Sequence, residues 1–376
     1  MSVFIYQLAS WPRFNWEADR ISVLLATVRH QQGKLLGQMA QLGFQLRSEA
    51  TLQMLTLEIL KSGEIEGELL DKEQVRSSVA RRLGMETGGL LPADRHIEGV
   101  VEMMLDATRQ YGQPLTDERL FSWHAAMFPT GRSGMYKITV GAWRDNPPHD
   151  PMQVVSGPAG REQVHYQAPA AELLPDEMRT FLQWFNDTTT TDPVLRAGIA
   201  HLWFVTIHPF DDGNGRIARA ITDMQLCRAD ETAQRFYSMS AQIRKERNEY
   251  YRLLEQTQKG TLDITDWLEW FLQCLSRAID NAATVLEQVL QKAAFWKKHE
   301  KTILNNRQVM MINKLMDGFD GKLTSSKWAA ITKSSQDTAL RDINDLLLKK
   351  VLVKEVGGGR STSYVLKTDS ANPGST

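Results

Sequence analysis

Apolar residues recur three and four positions apart over most of this sequence. From Ile21 to Leu46 and again from Thr51 to Leu83, they form one stripe along a helix surface. Similar patterns occupy residues 95–111, 115–128, 175–185, 192–207, 217–227, 241–256 and 264–299. A chain with this periodicity buries its apolar surface by packing helix against helix, so we expect a mainly α fold.

One segment, residues 135–169, lacks helical periodicity and is rich in Gly, Pro, Val and Tyr. Within it, Gln153–Val155 and Val164–Tyr166 flank a Gly-Pro-Ala-Gly stretch at 157–160. Two short apolar runs around such a loop predict a β-hairpin.

Residues 299–368 predict a separate unit. Helical patterns at 303–315, 326–331 and 338–349 precede two strand-like runs, 351–353 and 363–366, with Gly357–Arg360 between them. Three helices followed by a Gly-tipped hairpin are typical of a winged helix-turn-helix, with 338–349 as its recognition helix. Residues 369–376 predict a disordered tail.

The charge of this C-terminal unit leaves its partner open. Between Lys301 and Lys367 there are 12 Lys or Arg and 6 Asp or Glu, which favours contact with DNA. Asp337, Asp342 and Asp345 lie along the predicted recognition helix and count against it. Contact of residues 299–368 with another protein is an equal alternative.

Composition excludes several classes of protein. The formal net charge is −1, so the chain is not basic throughout, as a non-specific nucleic-acid binder would be. Two cysteines, Cys227 and Cys274, cannot form a disulfide framework or a cysteine metal site. The first residues lack a signal-peptide pattern and no apolar run reaches the roughly 18 residues that span a bilayer, so we expect a cytoplasmic protein without membrane contact.

The most informative stretch is HPFDDGNGRIAR, which starts at His208 and joins two predicted helices. Pro209 disfavours helix in the residue before it, and Gly213–Gly215 stand at the amino end of the next helix. Free backbone N–H groups there bind anions. Arg216 and Arg219 share one face of the first turns and oppose the helix dipole, which is reasonable where a polyphosphate lies between them.

Two further side chains complete a candidate site. Asp212 provides an oxygen ligand suited to Mg²⁺ beside the anion, and His208 is the natural general base. Gly213 to Ala218 also match the dinucleotide-binding pattern G-x-G-x-x-A, but that pattern requires a preceding strand, and the preceding element here is helical. No G-x-x-x-x-G-K-S/T sequence occurs, which excludes a P-loop.

The same stretch resembles the signature of Fic-domain proteins, H-x-F-x-D/E-G-N-G-R-x-x-R, at every fixed position. The resemblance extends over about 116–273, and the region from Trp11 to Gly67 is similar to the helical region before many bacterial Fic domains. It implies a Fic-type helical core with a β-hairpin flap. The expected domains are an N-terminal helical region (1–112), the catalytic core (113–298) and the winged-helix unit (299–368).

The resemblance implies transfer of AMP from ATP to a Ser, Thr or Tyr hydroxyl of a target protein or of the chain itself, with Mg²⁺. The roles that it implies are deprotonation of the target by His208, Mg²⁺ binding by Asp212, phosphate contact by Gly213, Asn214 and Gly215, β-phosphate binding by Arg216 and γ-phosphate binding by Arg219. Phe210 would anchor the loop in the core. Tyr250 and Tyr251 match a position near the adenine.

The resemblance also assigns the predicted hairpin to the family's flap, which holds a target segment by strand addition. The flap residues expected to dock the target are Val154, Val155, Val164, His165 and Tyr166.

The segment SGEIEG that starts at Ser62 resembles the family's inhibitory motif, S/T-x-x-x-E-G/N. Ser62 and Glu66 are four residues apart and share a helix face, and Gly63 and Gly67 would let another backbone pack closely. A bidentate pair between Glu66 and Arg219 would occupy the direction of the γ-phosphate. We therefore expect inhibition within one chain.

Several alternatives stay open at this stage. Glu66 could position a water that removes AMP from a modified target. The chain could instead be a DNA-binding regulator whose Fic core senses nucleotide. UMP or phosphocholine could replace AMP, because a phosphate loop does not contact the base. Neither the target nor the oligomeric state, a homodimer included, can be inferred from the sequence.

Overall fold

The structure is a computed structural model that describes residues 4–85, 91–157, 161, 163–187, 190–319, 321–355 and 362–367. The chain divides into two compact units, and the boundary falls after Val285. The domain boundaries expected from the sequence, after 112 and after 298, stay predictions. Among the described residues, no helix carries an apolar stretch long enough to cross a membrane.

The first unit is built almost entirely from helices. They are α1 (Ala18–Ala40), α2 (Phe44–Ile65), α3 (Lys72–Arg82), α4 (Arg95–Arg109), α5 (Asp117–Met127), α6 (Leu174–Asn186), α7 (Pro193–Ile207), α8 (Asn214–Asp230), α9 (Met239–Lys245), α10 (Arg247–Gln258) and the first part of α11 (Thr265–Lys298). Two small antiparallel hairpins complete it, β1 (Arg132–Ser133) with β2 (Tyr136–Lys137) and β3 (Gln153–Ser156) with β4 (Gln163–Gln167).

The centre of this unit is α7, in which every residue from Val194 to Ile207 is buried. Asp192 caps its amino end by accepting a hydrogen bond from the Val194 N–H at 2.8 Å, and Pro193 takes the first helical position. A helix that is apolar on all sides belongs in a core. It packs against α8, so the loop between α7 and α8 is held by the most buried pair of helices in the unit.

The β3–β4 hairpin confirms the predicted strands, with Val154 opposite Tyr166, Val155 opposite Val164 and a register shift between the two pairs. One face packs on the start of the chain, where Phe4 meets the Tyr166 ring edge-on with 5.0 Å between centroids. Pro158–Gly160 of the predicted loop lie outside the described residues. The shorter β1–β2 hairpin was not predicted, since two-residue strands leave no periodicity.

Three of the predicted helical runs are divided in the structure. The run from Ile21 to Leu46 is interrupted between Ala40 and Phe44, the one from Thr51 to Leu83 between Ile65 and Lys72, and the one from Ala241 to Gln256 at Glu246. Apolar spacing continues across these breaks, because the flanking helices bury faces against the same core. Periodicity alone therefore does not reveal these turns.

The second unit, taken by itself, contains α12 (Asn306–Met316), α13 (Ser325–Thr332), α14 (Gln336–Leu348) and a hairpin of β5 (Leu352–Lys354) and β6 (Tyr364–Leu366). Its core surrounds the fully buried Trp328. The element order agrees with the one expected from the sequence. Gly357–Arg360, predicted as the wing tip, and the tail 369–376 lie outside the described residues, and the winged-helix assignment stays a prediction.

Glycine at 99 sets the distance between α4 and α5. A methyl group there would lie 1.7 Å from the carbonyl oxygen of Ala126. We expect Gly99→Ala to lower the free energy of unfolding by about 3 kcal/mol, because backbone must move to accept it. Gly37→Ala, where nothing described lies within 4 Å, is the matched control and should raise stability by about 0.5–1 kcal/mol. Urea unfolding measures both, and equal effects would contradict this packing.

Candidate active site

The loop between α7 and α8 is fixed from inside by Asn214. Its side-chain amide donates to the Phe210 carbonyl at 2.7 Å, and its Oδ1 accepts from the Phe210 N–H at 3.0 Å. The Phe210 ring is fully buried and stacks on His124, with 4.2 Å between ring centroids. Asn214 was expected to contact phosphate; here its side chain closes the loop, and its backbone N–H remains at the amino end of α8.

Arg144, which belongs to no motif, holds the same loop from outside. Its Nε donates to the His208 carbonyl at 2.8 Å, its Nη2 donates to the Pro169 carbonyl at 2.6 Å, and its backbone N–H donates to the Pro209 carbonyl at 2.9 Å. Burial lowers the pKa of Arg144 to about 10, so the side chain stays charged at neutral pH. One guanidinium therefore joins the loop to the chain that leaves β4.

His208 ends α7 in the left-handed conformation, with φ of 52°. Its Nδ1 lies 3.3 Å from the Val205 carbonyl oxygen, a geometry that favours the tautomer with the proton on Nδ1. The lone pair is then on Nε2. Burial lowers the pKa of His208 to about 4, and the nearby Arg144 charge acts in the same direction. The side chain is therefore a neutral imidazole at physiological pH, as a general base requires.

Asp212 lies at the edge of the loop with 42% of its side chain exposed. Its Oδ1 accepts from the Gly213 N–H at 2.5 Å, and its Oδ2 accepts from the Ser133 hydroxyl. Among the described residues, no cluster of three or more His, Cys, Asp or Glu side chains could hold a metal by itself. One accessible carboxylate fits Mg²⁺, which commonly takes one or two carboxylates and completes its shell with phosphates and water.

The amino end of α8 is open to an anion. Gly213 occupies the N-cap position with φ of 83° and offers no side chain to cap the first N–H groups. A carboxylate from elsewhere in the chain lies over this turn: a methyl group on Gly215 would come within 2.1 Å of Glu66 Oε1. Glu66 therefore lies where the helix terminus favours negative charge.

Arg219 binds the end of α2. Its Nε donates to the Ser62 hydroxyl at 2.8 Å, and its Nη2 donates to the Ser62 carbonyl at 3.0 Å and to Glu66 Oε1 at 2.8 Å. Burial would lower the pKa of Arg219, but the Glu66 carboxylate together with Tyr250 and Tyr251 outweighs it, and the pKa is raised. The pair has one contact instead of the expected two: Glu66 meets Nη2 alone, and Nε and Nη2 bind Ser62.

Arg216 pairs with a carboxylate that was not among the expected site residues. Its Nη1 donates to Glu68 Oε2 at 2.7 Å, its Nη2 lies 3.6 Å from Asp212 Oδ1, and the guanidinium stacks over Phe128. Glu66 belongs to the segment that resembles the inhibitory motif, whereas Glu68, two residues later, stands out only as part of the acidic run Glu64, Glu66 and Glu68.

Both arginines keep an unused donor. Arg219 Nη1 and Arg216 Nε are buried and have no hydrogen-bond partner among the described residues. Buried donors without acceptors are costly and uncommon. A cavity of about 610 Å³ opens beside Arg216, lined in part by Glu66, Glu68 and Asp212. The two guanidiniums therefore retain capacity for a further acceptor.

The two glycines of the inhibitory segment do not serve as expected. A Cβ on Gly63 would meet the Glu68 carbonyl at 3.1 Å, and one on Gly67 would meet nothing described within 4 Å. Gly67 instead has φ of 84° and lets the chain reverse after α2. The expectation of close backbone packing at these glycines was wrong for Gly67, and at Gly63 the near backbone belongs to the same turn.

The two tyrosines expected near adenine differ in burial. Tyr250 is buried, and its hydroxyl is 2.8 Å from His201 Nε2. Tyr251 is partly exposed, with its hydroxyl 3.5 Å from Glu66 Oε2 and its ring under the Arg247 guanidinium. Their contact with a base stays a prediction, for which Tyr251 has the more open position.

The flap residues divide between the two faces of the hairpin. Val155 and Val164 are 47% and 43% exposed. Val154 and Tyr166 face the core, and the Tyr166 hydroxyl donates to the Thr206 carbonyl of α7 at 2.6 Å. His165 bridges Ser156 and Glu255. Val155 and Val164 are thus placed to meet a partner, whereas Tyr166 anchors the hairpin to the helix that carries His208.

Arg144 should be essential to the loop. We expect Arg144→Gln to lower the free energy of unfolding by about 3 kcal/mol, because it leaves buried carbonyl groups of His208 and Pro169 without a donor. Arg144→Lys keeps the charge but cannot reach both carbonyls, so its loss should be intermediate. Urea denaturation provides the measurement, and a loss below about 1 kcal/mol for the Gln variant would show that the loop holds without this contact.

Two segments of the chain are similar to known protein families. Residues 114–226 match the family described as Fic/DOC family, and residues 4–85 match a family described as Domain of unknown function (DUF4172). The protein adenylyltransferase Fic of Nematostella vectensis is 34% identical over 114 residues, which are 30% of this chain and 25% of that protein. The protein adenylyltransferase fic-1 of Caenorhabditis elegans is 42% identical over 60 residues, 15% of this chain and 12% of its own.

The match to these curated relatives thus spans a quarter of their length or less. Among solved structures, a Fic family protein from Desulfovibrio desulfuricans G20 superposes with a TM-score of 0.53 at 21% identity, covering 94% of this chain and 97% of that one. That likeness concerns the fold alone. Residues 114–226 of this chain form a Fic/DOC domain. The helical region that matches the second family, residues 4–85, lies before this domain.

Proposed function

We propose that this chain is a protein adenylyltransferase, which transfers AMP from ATP to a hydroxyl side chain of a target protein or of itself, and that Glu66 holds it inactive. One observation carries the proposal: the Glu66 carboxylate lies over the first turn of α8 and pairs with the buried Arg219. A site that attracts an internal carboxylate to a helix terminus and a guanidinium is suited to a phosphate.

The reaction needs a base, charge neutralisation and positioning. His208 Nε2 takes the proton of the target hydroxyl, whose oxygen attacks the α-phosphorus. The bond from the α-phosphorus to the bridging oxygen breaks, and pyrophosphate leaves with the electron pair. The N–H groups of Gly213 to Gly215 and the two guanidiniums stabilise the negative charge on the phosphates. A bound Mg²⁺, held by Asp212, would neutralise charge on the α- and β-phosphates.

The inhibitory role follows from competition for the same donors. A γ-phosphate bound by both Nη atoms of Arg219 must displace Glu66 from Nη2, and Glu66 lies against Gly215 on the path of the phosphate tail. ATP then binds in a position that does not support in-line attack. Because Glu66 and Arg219 belong to one chain, the inhibition needs no partner.

Replacing Glu66 tests the proposal. We expect Glu66→Gly to raise incorporation of labelled AMP at least about tenfold, since loss of about 1.4 kcal/mol of competing interaction changes binding by that factor. His208→Ala in the same background should abolish it. Glu64→Gly is the matched control, because Glu64 faces Lys61 and Arg244 instead of α8.

Mass spectrometry of the Glu66→Gly protein with each nucleoside triphosphate and Mg²⁺ identifies the transferred group and its site. A Glu66→Gly protein as inactive as the wild type would remove the inhibitory role. Release of AMP from a modified target by the wild type, lost in Glu66→Gly, would identify hydrolytic removal of AMP instead.

The pH dependence of the rate tests the base. With His208 at a pKa of about 4, the turnover of Glu66→Gly at saturating ATP should be flat between about pH 6 and 8 and decline only toward pH 4, where His208 becomes protonated. The Glu66 charge favours the protonated form of His208, so its loss moves this decline to a still lower pH. A rate that falls tenfold between pH 7 and 6 would show that His208 is not the unprotonated base described here.

A second function, DNA contact by the C-terminal unit, gains support from its charge distribution. Asp342 is bound by Arg307 and Asn305, and Asp345 by Gln308 and Lys349. Two of the three acidic residues that counted against DNA contact are thus neutralised inside the unit. The outer face of α14 presents side chains that can donate to DNA, namely Gln336, Arg341 and Asn344.

Filter binding of duplex DNA by the full chain between 50 and 200 mM salt tests this second function. We expect Arg341→Ala to weaken binding and to reduce the slope of log K against log salt by about 1, because one phosphate contact is lost. Lys34→Ala, an exposed position on α1, is the control. The absence of salt-dependent binding would leave the C-terminal unit as a protein-contact module.

A further inference from the structure

Glu68 lies outside the inhibitory motif, yet it contacts the phosphate-binding arginines as directly as Glu66 does. Its Oε2 accepts from Arg216 Nη1 at 2.7 Å, and Arg216 is 7% exposed in this pair. Each guanidinium of α8 thus has its own carboxylate from one short segment: Glu66 binds Arg219, and Glu68 binds Arg216.

The capping turn of α2 explains how two carboxylates reach one helix. Glu66 is the C-cap residue, and Gly67 follows in the left-handed conformation. The Glu68 N–H donates to the Gly63 carbonyl at 3.0 Å, and the Gly67 N–H donates to the Glu64 carbonyl at 3.2 Å. These two bonds form a Schellman motif, which fixes the backbone on both sides of Gly67. The two carboxylates are therefore presented together by one turn.

A histidine holds Glu68 from the other side. His96 Nε2 pairs with Glu68 Oε1, and His96 Nδ1 lies 2.7 Å from the Met127 carbonyl oxygen. The contact with Glu68 raises the pKa of His96, and burial and the Arg216 charge act against it. The Glu68 carboxylate thereby lies between the His96 ring and the Arg216 guanidinium.

We propose that Glu68 is a second inhibitory residue, held by His96, that competes with the β-phosphate of the nucleotide for Arg216. This inference rests on the proposed function, which places a nucleotide on these arginines. It also means that removing Glu66 frees Arg219 alone. Arg216 stays engaged until Glu68 leaves, so the single variant retains part of the inhibition.

The effect should be smaller than that of Glu66. The two carboxylates are about equally exposed, but the Arg216 side chain is 7% exposed and that of Arg219 only 2%, so water screens the Glu68 pair more. Loss of this competitor should therefore tighten binding of a nucleotide with a β-phosphate about fivefold. A nucleotide without a β-phosphate does not reach Arg216, and its affinity should stay unchanged.

Calorimetric titration of ADP and AMP with Mg²⁺ into full-length double variants tests the proposal. We expect Glu66→Gly/Glu68→Gln to bind ADP about fivefold more tightly than the matched control, Glu66→Gly/Glu64→Gln, and both to bind AMP equally. Glu66→Gly/Glu68→Ala, which also removes the hydrogen bond to Arg216, should gain at least as much for ADP. Glu66→Gly/His96→Gln should gain a smaller part of the same increase.

Each of the other outcomes contradicts either the role of Glu68 or the proposed function. Equal ADP affinity in the Glu68 variants and the control overturns the role of Glu68 and leaves the proposed function intact. Weaker ADP binding by the Glu68 variants shows that Glu68 orients Arg216 for phosphate. This result also overturns the inhibitory role of Glu68. Equal gains for ADP and AMP indicate general loosening of the segment, which is again contrary to the proposal. A control that binds neither nucleotide contradicts the proposed function itself.

Discussion

The buried guanidinium of Arg219 is the constraint on which the rest of the site depends. A cation at the first turns of a helix opposes the helix dipole and is costly to bury without a counter-ion. The chain meets that demand with Ser62 and Glu66 from the end of α2. Any anion that binds at α8 must replace part of this arrangement. The packing of α2 and the binding of an anion at α8 therefore depend on the same positive charge, that of Arg219.

The central loop could be predicted because its residue types are few and each has a physical reason. Pro209 ends one helix, and Gly213 and Gly215 open the next to an anion. The helical fold could be predicted from apolar spacing over most of the chain. The expected mainly helical architecture with a β-hairpin is confirmed by the fold and by its likeness to a solved Fic family protein.

What the sequence could not predict depends on contacts between distant segments. Arg144 lies in a segment without periodicity, and its partners are backbone carbonyls, which leave no trace in residue identity. Glu68 could be noted only as part of an acidic run, since His96 and Arg216 approach it from other helices. The inward orientation of Tyr166 depends on Thr206 of α7. The spacing of apolar residues along the chain predicts which face of a helix or strand is buried. Only the fold determines which residues pack against that face.

The hydrogen bonds from Arg144 to the His208 and Pro169 carbonyls have a mechanical consequence. The Pro169 carbonyl belongs to the chain just beyond β4, and the His208 carbonyl belongs to the residue that carries the imidazole. A displacement of the chain beyond β4 is therefore passed through one rigid, planar group to the backbone beneath the imidazole. In the proposed function, docking of a target on the hairpin would thus be coupled to the position of the imidazole.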